Sequence, residues 1–274
     1  MRSARREAPP PFPPPGEGEG SGSDARDYRR EELLADAIAC LIADARHAAI
    51  GAASPIPAAG ALLARERGNG RLRVSLLGSR RHSFFSDGGR ELFDCAGQGR
   101  IDVFFLSGAQ IDGHANINLV GIGDPARPKV RFPGSFGSAY MYYVVPKVIL
   151  FRLEHTRRTL VERVDFISAP GTSPANVHRP GGPIALITDR CLFAFDRMRG
   201  RFRLASVHPG HSEAEIAEHT GFAFDRAVPH QLRVPETPSP SAETLRTLRT
   251  VVAPQLAEVY PQFAAEVFGV KGLA

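Results

Sequence analysis

The feature that most constrains this chain is a short apolar run that ends in a polar stretch. Ile101 to Leu106 reads Ile-Asp-Val-Phe-Phe-Leu, apolar at every position but Asp102. A run of that kind suits a strand covered on both faces. It passes directly into Ser-Gly-Ala-Gln110-Ile-Asp112-Gly-His114-Ala-Asn116-Ile-Asn118, and further on into Gly134-Ser135-Phe136-Gly137. A buried strand with amide and carboxylate side chains at its C-terminal end, followed by a loop with little side-chain cover, reads as a ligand site in an open α/β sheet. The same residues also fit Asx-stabilised turns and a glycine turn that hold no ligand.

The segments around this stretch alternate between helix and strand patterns. Asp27 is placed to cap a helix over Tyr28 to His47, in which Leu33, Leu34, Ala37, Ile38, Leu41 and Ile42 share one face. Cys40 falls on that apolar helix and is expected in the core. A strand over Ala48 to Ala52 follows. Ser54-Pro55-Ile56-Pro57 then opens a helix of small residues, Ala58 to Arg67, stopped by Gly68-Asn69-Gly70. Leu72 to Leu77 is extended and leads to a loop with Arg80, Arg81 and His82.

Beyond the polar stretch, Val144 to Phe151 and Val161 to Ile167 read as strands. Ile184 to Thr188, Leu192 to Phe195 and Phe202 to Val207 read as a β-meander or a pair of hairpins. Ser212 with Glu215 starts a helix by a capping box, and Ser241 starts another over Ala242 to Val252. The pattern predicts an α/β fold: a mostly parallel sheet flanked by helices, with added β-hairpins. Residues 1–26, rich in Pro and Gly, are expected to be a disordered leader. Residues 27–255 form the domain, and 256–274 a C-terminal tail.

Composition narrows the function. The net charge is +5, but the arginines are dispersed, with no basic run and no aromatic interleaving, so no nucleic-acid partner is expected. No apolar stretch approaches the ~18 residues of a membrane span, and the N-terminus lacks an apolar signal core. The expected location is therefore the cytoplasm, with no membrane partner. Cys40, Cys95 and Cys191 are odd in number and far apart, which argues against a disulfide framework, and no cluster has metal-ligand spacing.

The ordered set Ser-Gly-Ala-Gln110-Ile-Asp112, Asn116-x-Asn118, Gly123-Asp124, Arg131-Phe, Gly134-Ser-Phe-Gly137, Glu154-His155-x-x-Arg158, Asp165-Phe-Ile, Pro170-Gly171, Gly182-Pro183, Thr188-Asp189, Phe195-Asp196, His208-Pro-Gly210 and Thr220-Gly-Phe222 resembles the β subunit of family I CoA-transferases. The glutaconate CoA-transferase type is the nearest in pattern, and the β subunit of steroid-ring-opening CoA-ester hydrolases is similar. The resemblance covers about residues 28 to 255 and implies the family's α/β fold. It also implies a separate α-subunit partner in a heterodimer or heterotetramer, an active site between the two, and a coenzyme A thioester as substrate with no bound cofactor.

It further implies roles for particular residues. Gly134, Ser135 and Gly137 would form the oxyanion or substrate loop. Gln110, Asp112, Asn116 and Asn118 would support the site, with His114 in the same loop. His155, with Glu154 and Arg158, would be structural or interfacial, and His208 part of a structural turn. The family's nucleophilic glutamate stands at the end of the strand that matches Leu72 to Leu77. Leu77 occupies that place here, or Ser79 if the register slips by two, and no acid lies between Arg73 and Ser86. Leucine has no nucleophilic atom and serine needs a base, so the catalytic residue stays unassigned. The resemblance implies a CoA-transferase-like β subunit, a CoA-ester hydrolase β subunit with the chemistry on the α subunit, or a non-catalytic structural β subunit. Asp87 and Glu91 are the nearest acids downstream. Arg80 and Arg81 fit either a clamp for carboxylate or phosphate or a solvated basic turn.

Overall fold

The computed structural model describes residues 27–226 and 233–270. The expected leader, 1–26, lies outside the described residues. The chain builds one eight-stranded sheet from β1 (His47–Ile50), β2 (Arg73–Leu76), β3 (Val103–Leu106), β8 (Lys147–Phe151), β9 (Pro183–Ile187), β10 (Cys191–Asp196), β11 (Arg201–Val207) and β12 (Asp225–Arg226). Their order is β12-β11-β10-β9-β8-β3-β1-β2. The β2-β1-β3-β8-β9 half is parallel, β9-β10-β11 is an antiparallel meander, and β12 joins β11 in parallel. The meander extends the main sheet rather than forming a separate layer.

Successive side chains of a strand point to opposite faces, and both faces are covered here. Ala48, Ile50, Val103, Phe105, Ile149, Ala185 and Ile187 enter one core, together with helices α1 (Arg30–Leu41) and α2 (Pro55–Arg67). Ala49, Phe104, Val148, Leu150 and Leu186 enter the other, with α3 (Gly88–Gly97) and α4 (Ser138–Val144). That two-sided burial explains why β3 reads as an apolar run. Each fully buried Leu or Ile contributes about 1.5–3 kcal/mol. Asp102 stands just outside β3, where its carboxylate accepts from the Arg46 guanidinium at 2.9 Å and from the backbone N–H of Arg46 at 2.8 Å.

Several sequence expectations shift. Helix α1 ends at Leu41 rather than His47, and its cap is Arg29, whose N–H donates to Glu32 Oε2 at 2.9 Å. Cys40 is exposed, not in the core, because the helix face it occupies carries Asp36 and receives Arg67. Val161–Ile167 is not a strand: isolated bridges form only at the flanking Leu160 and Ala169 among the described residues, and Phe166 and Ile167 are exposed. The helix expected at Ser212 forms as α5 (Glu213–His219), with the Ser212 side chain accepting from Glu215 N–H. The helix expected over Ala242 to Val252 is α6 (Ala242–Thr247), a π-helical turn at Leu248–Val252, then α7 (Ala253–Leu256). The expected tail from 256 continues the fold. Leu256 is fully buried, and Phe263 and Phe268 of α8 (Pro261–Phe268) pack against the first core.

The polar stretch after β3 folds into two small ribbons. They are β4 (Gln110–Ile111) with β5 (Ile117–Asn118), and β6 (Gly121–Ile122) with β7 (Val130–Arg131). Both lie beyond the C-terminal end of β3, at the edge where open parallel sheets bind ligands.

Candidate active site

The two ribbons are built by the amide and carboxylate side chains of the polar stretch. Asp112, 2% exposed, accepts the N–H groups of His114 and Asn116 on Oδ1, each at 3.0 Å, and the Asn116 amide on Oδ2. This Asx arrangement closes a turn in which Ala115 has a φ of +59°. Asn116 Oδ1 accepts from Gly171 N–H at 3.1 Å, and Tyr142 OH donates to the Ala115 carbonyl at 2.8 Å. Asn118, fully buried, donates to Gln110 Oε1 and to the Gly121 carbonyl, both at 2.7 Å, and accepts from Val120 N–H. Gln110 Oε1 also accepts from Asp165 N–H. These residues spend their hydrogen bonds on backbone and on each other, so they fix the path of the chain. His114 is exposed and its Nδ1 meets the Gly200 carbonyl at 2.9 Å, tying the turn to the β10–β11 hairpin.

The β6–β7 ribbon delivers the chain to Gly134–Gly137. Gly134 has a φ of +110° and no neighbour where a side chain would stand. The turn is closed by Ser138 N–H donating to the Ser135 carbonyl at 2.8 Å. The N–H groups of Ser135, Phe136 and Gly137 have no acceptor among the described residues. Ser138 Oγ is buried there and also lacks a hydrogen-bond partner. Sequence reasoning misses Ser138, since a buried unpaired hydroxyl carries no sequence signal. Phe136 has a φ of +43° and is 90% exposed.

The loop after β2 resolves the other candidates. Leu77 is half-buried and packs on the second core, its N–H donating to the Ile50 carbonyl. Ser79, 6% exposed, donates to Glu258 Oε2 at 2.8 Å and accepts the N–H groups of Arg81 and His82. Glu258 Oε1 accepts Arg80 N–H at 2.6 Å. Desolvation works to raise this carboxyl's pKa, but the hydrogen bonds from Ser79 and the Arg80 and Arg81 backbone outweigh it and hold it below the usual range. Ser79 is thus the centre of a turn stapled to the segment after α7. The side chains of Arg80 and Arg81 are exposed.

The two downstream acids also act locally. Glu91 accepts from Ser86 N–H and Oγ and from Asp87 N–H, hydrogen bonds that lower its pKa and brace the start of α3. Asp87 pairs with Arg90 at 3.0 Å.

Two histidines sit deep in the second core region. His155, 1% exposed, bonds Thr188 Oγ1 and Thr220 Oγ1, each at 2.9 Å; burial, reinforced by the Arg190 charge, lowers its pKa to about 3. His208 bonds Thr237 Oγ1, and burial lowers its pKa to about 4. Both are neutral supports. Glu154 accepts from Arg158, Arg152 and Thr156, and the Arg158 hydrogen bond leads in holding its pKa at about 2.

Among the described residues no group of three or more His, Cys, Asp and Glu is placed to hold a metal. Among the same residues no helix is long and apolar enough to cross a membrane. Open surface depressions lie along Arg163–Ile167 and between Arg157, Glu213 and Thr220–Phe224. Gly134 and Phe136 of the glycine loop are exposed.

A sequence profile of the coenzyme A transferase family matches residues 80–219, half of the chain and all of the polar stretch, the glycine loop, His155 and His208. The chain belongs to that family. It is 37% identical over 161 residues to the β subunit of the 3-oxoadipate CoA-transferase of Pseudomonas knackmussii, a match covering 57% of this chain and 60% of that one. It is 32% identical over 141 residues to the β subunit of the glutaconate CoA-transferase of Acidaminococcus fermentans, covering 49% and 52%. Each of these matches spans less than two thirds of the relative's length. The structure of Rhodococcus jostii IpdAB superposes with a TM-score of 0.72 at 25% identity, covering 85% of this chain and 99% of that one. IpdB from the same organism, named a cholesterol ring-cleaving hydrolase subunit, is 27% identical over 176 residues, covering 61% of this chain and 65% of that one. The family's mostly parallel sheet with flanking helices is the fold seen here.

Proposed function

We propose that this chain is the β-type subunit of a heteromeric enzyme acting on acyl-CoA thioesters, and that it contributes an oxyanion-binding loop but no covalent carboxylate. The observation that carries this reading is the set of unpaired N–H groups at Ser135, Phe136 and Gly137. A thioester oxygen set against them gains negative charge as a nucleophile adds to the carbonyl carbon. Fixed donors at that point stabilise the transition state more than the ground state. The C–S bond then breaks, and CoA leaves as a thiolate that takes up a proton.

The nucleophile is supplied from outside this chain. Leu77 offers no reactive atom, and the Ser79 hydroxyl is committed to Glu258 and two backbone N–H groups. An α-type partner chain fits this gap. Gly134 of the glycine loop is exposed, and Phe136, Phe166 and Ile167 are exposed apolar residues on the same polypeptide. Water as the acceptor, making the enzyme a CoA-ester hydrolase, is the second reading. A relative named as a ring-cleaving hydrolase subunit supports it.

The test is co-expression with an α-type chain, incubation with a panel of acyl-CoA thioesters, and mass spectrometry of products and protein. Turnover should require both chains, and no CoA adduct should map to this one. A CoA thioester on any carboxylate of this chain would overturn the proposal.

A further inference from the structure

We propose that Phe136 is a specificity-determining residue whose ring forms one wall of the acyl site and favours bulky apolar acyl groups, alicyclic or aromatic, over short ones. This rests on the acyl-CoA reading above and extends it to the substrate class.

Phe136 combines two unfavourable states. Its φ of +43° lies in the left-handed region that a side chain with a Cβ rarely adopts. Its ring is 90% exposed, so the apolar surface gains almost nothing from the fold. Strain of this kind persists where the surroundings impose it, and it concentrates at ligand sites.

The ring meets its neighbours along one edge. The edge of the Phe136 ring rests on Gly89 of α3, where an added Cβ would lie 3.2 Å from Phe136 Cζ. The Phe93 ring occupies the reciprocal place on Gly137, where a Cβ would lie 2.1 Å from Phe93 Cζ. The two rings meet with centroids 5.4 Å apart, and Tyr140 meets Phe93 edge-on at 6.0 Å. Phe136 thus touches α3 along one edge while most of its surface stays open. Phe136 belongs to the same three-residue turn as the unpaired N–H groups, two residues before Ser138, whose buried hydroxyl is unpaired. Donors that take a carbonyl oxygen and a fixed apolar surface beside them match the two ends of an apolar acyl group.

Two measurements on the complex with its α-type partner test this. The first compares kcat/KM for cyclohexanecarbonyl-CoA and acetyl-CoA in wild type, Phe136→Leu and Phe136→Gly. The preference for the cyclic substrate should fall about tenfold in Phe136→Gly and less in Phe136→Leu. An equal change for both substrates would refute the proposal.

The second uses Phe136→Trp, because the chain has no tryptophan. The difference in emission between the Phe136→Trp and wild-type complexes should saturate at about tenfold lower cyclohexanecarbonyl-CoA than acetyl-CoA. Equal saturation, or no response, overturns the assignment. A complex that shows the binding contrast but turns over no thioester sinks the functional reading and leaves Phe136 as a binding wall. A complex that is active without any contrast does the reverse.

Discussion

At the scale of single residues, the polar stretch after β3 works as scaffolding. Asp112, Asn116 and Asn118 satisfy the backbone of two short ribbons that have few ladder bonds of their own. Their spacing, with each side chain within reach of a nearby N–H, made that role readable as Asx turns. Gly171 shows what could not be read. Its α-carbon is pressed against the turn at His114–Ala115, and an added Cβ would lie 2.1 Å from the His114 carbonyl oxygen and 2.8 Å from that of Ala115. Both obstacles are backbone and neither can swing away. Gly171→Ala should destabilise the protein by about 2–3 kcal/mol, measured as a lowered urea midpoint. Because Asn116 also holds Gly171 N–H, the same variant should loosen hydrogen-exchange protection at residues 112–118. A midpoint equal to wild type would show that this contact relaxes freely.

At the scale of elements, helix packing depends on small residues and a few ion pairs. Helices α3 and α4 approach through Gly89, Gly97 and Gly137, each facing an aromatic side chain of the other segment. On the opposite face, α1 is joined to the C-terminal helices by Arg249, which donates to both oxygens of Glu32 at 2.7 and 3.0 Å. Arg249 lies in the π-helical turn that precedes Pro254. Proline cannot donate to the carbonyl four residues back, and a π turn accommodates that interruption. The Glu32 side chain is 1% exposed and that of Arg249 40%. Removing Arg249 leaves a buried carboxylate that, among the described residues, keeps only its bond from Arg29 N–H. A fully buried pair would cost about 3–5 kcal/mol. With Arg249 partly in water, Arg249→Ala should cost about 2 kcal/mol by denaturant unfolding. The sequence pattern placed the cap at Asp27, and it showed neither the Arg29–Glu32 bond nor the partner 217 residues away.

At the scale of the whole molecule, buried histidines give stability a direction in pH. His155 and His208 have folded pKa values of about 3 and about 4, below their ordinary 6.5. Between those limits the unfolded chain binds more protons than the folded one, so stability is full above pH 6.5 and falls as pH drops. The slope is at most about 1.4 kcal/mol per pH unit for each histidine. Glu154, lowered from 4.5 to about 2, adds to the loss only below pH 4.5. Thermal unfolding should therefore show Tm falling from pH 7 to pH 5, and His155→Gln should flatten that fall. A Tm independent of pH over this range would contradict the neutral, buried assignment. The sequence by itself determined the α/β alternation, the two-sided burial of β3, the three strands of the meander and the family, because these depend on periodicity and on ordered local motifs. Only the tertiary structure decided that Ser79 is held by Glu258, that Cys40 is exposed, that Val161–Ile167 is not a strand, and that Phe136 points outward from the glycine loop. Each of those depends on which distant segment occupies the neighbouring space, and packing sets that in three dimensions, beyond the reach of any local pattern.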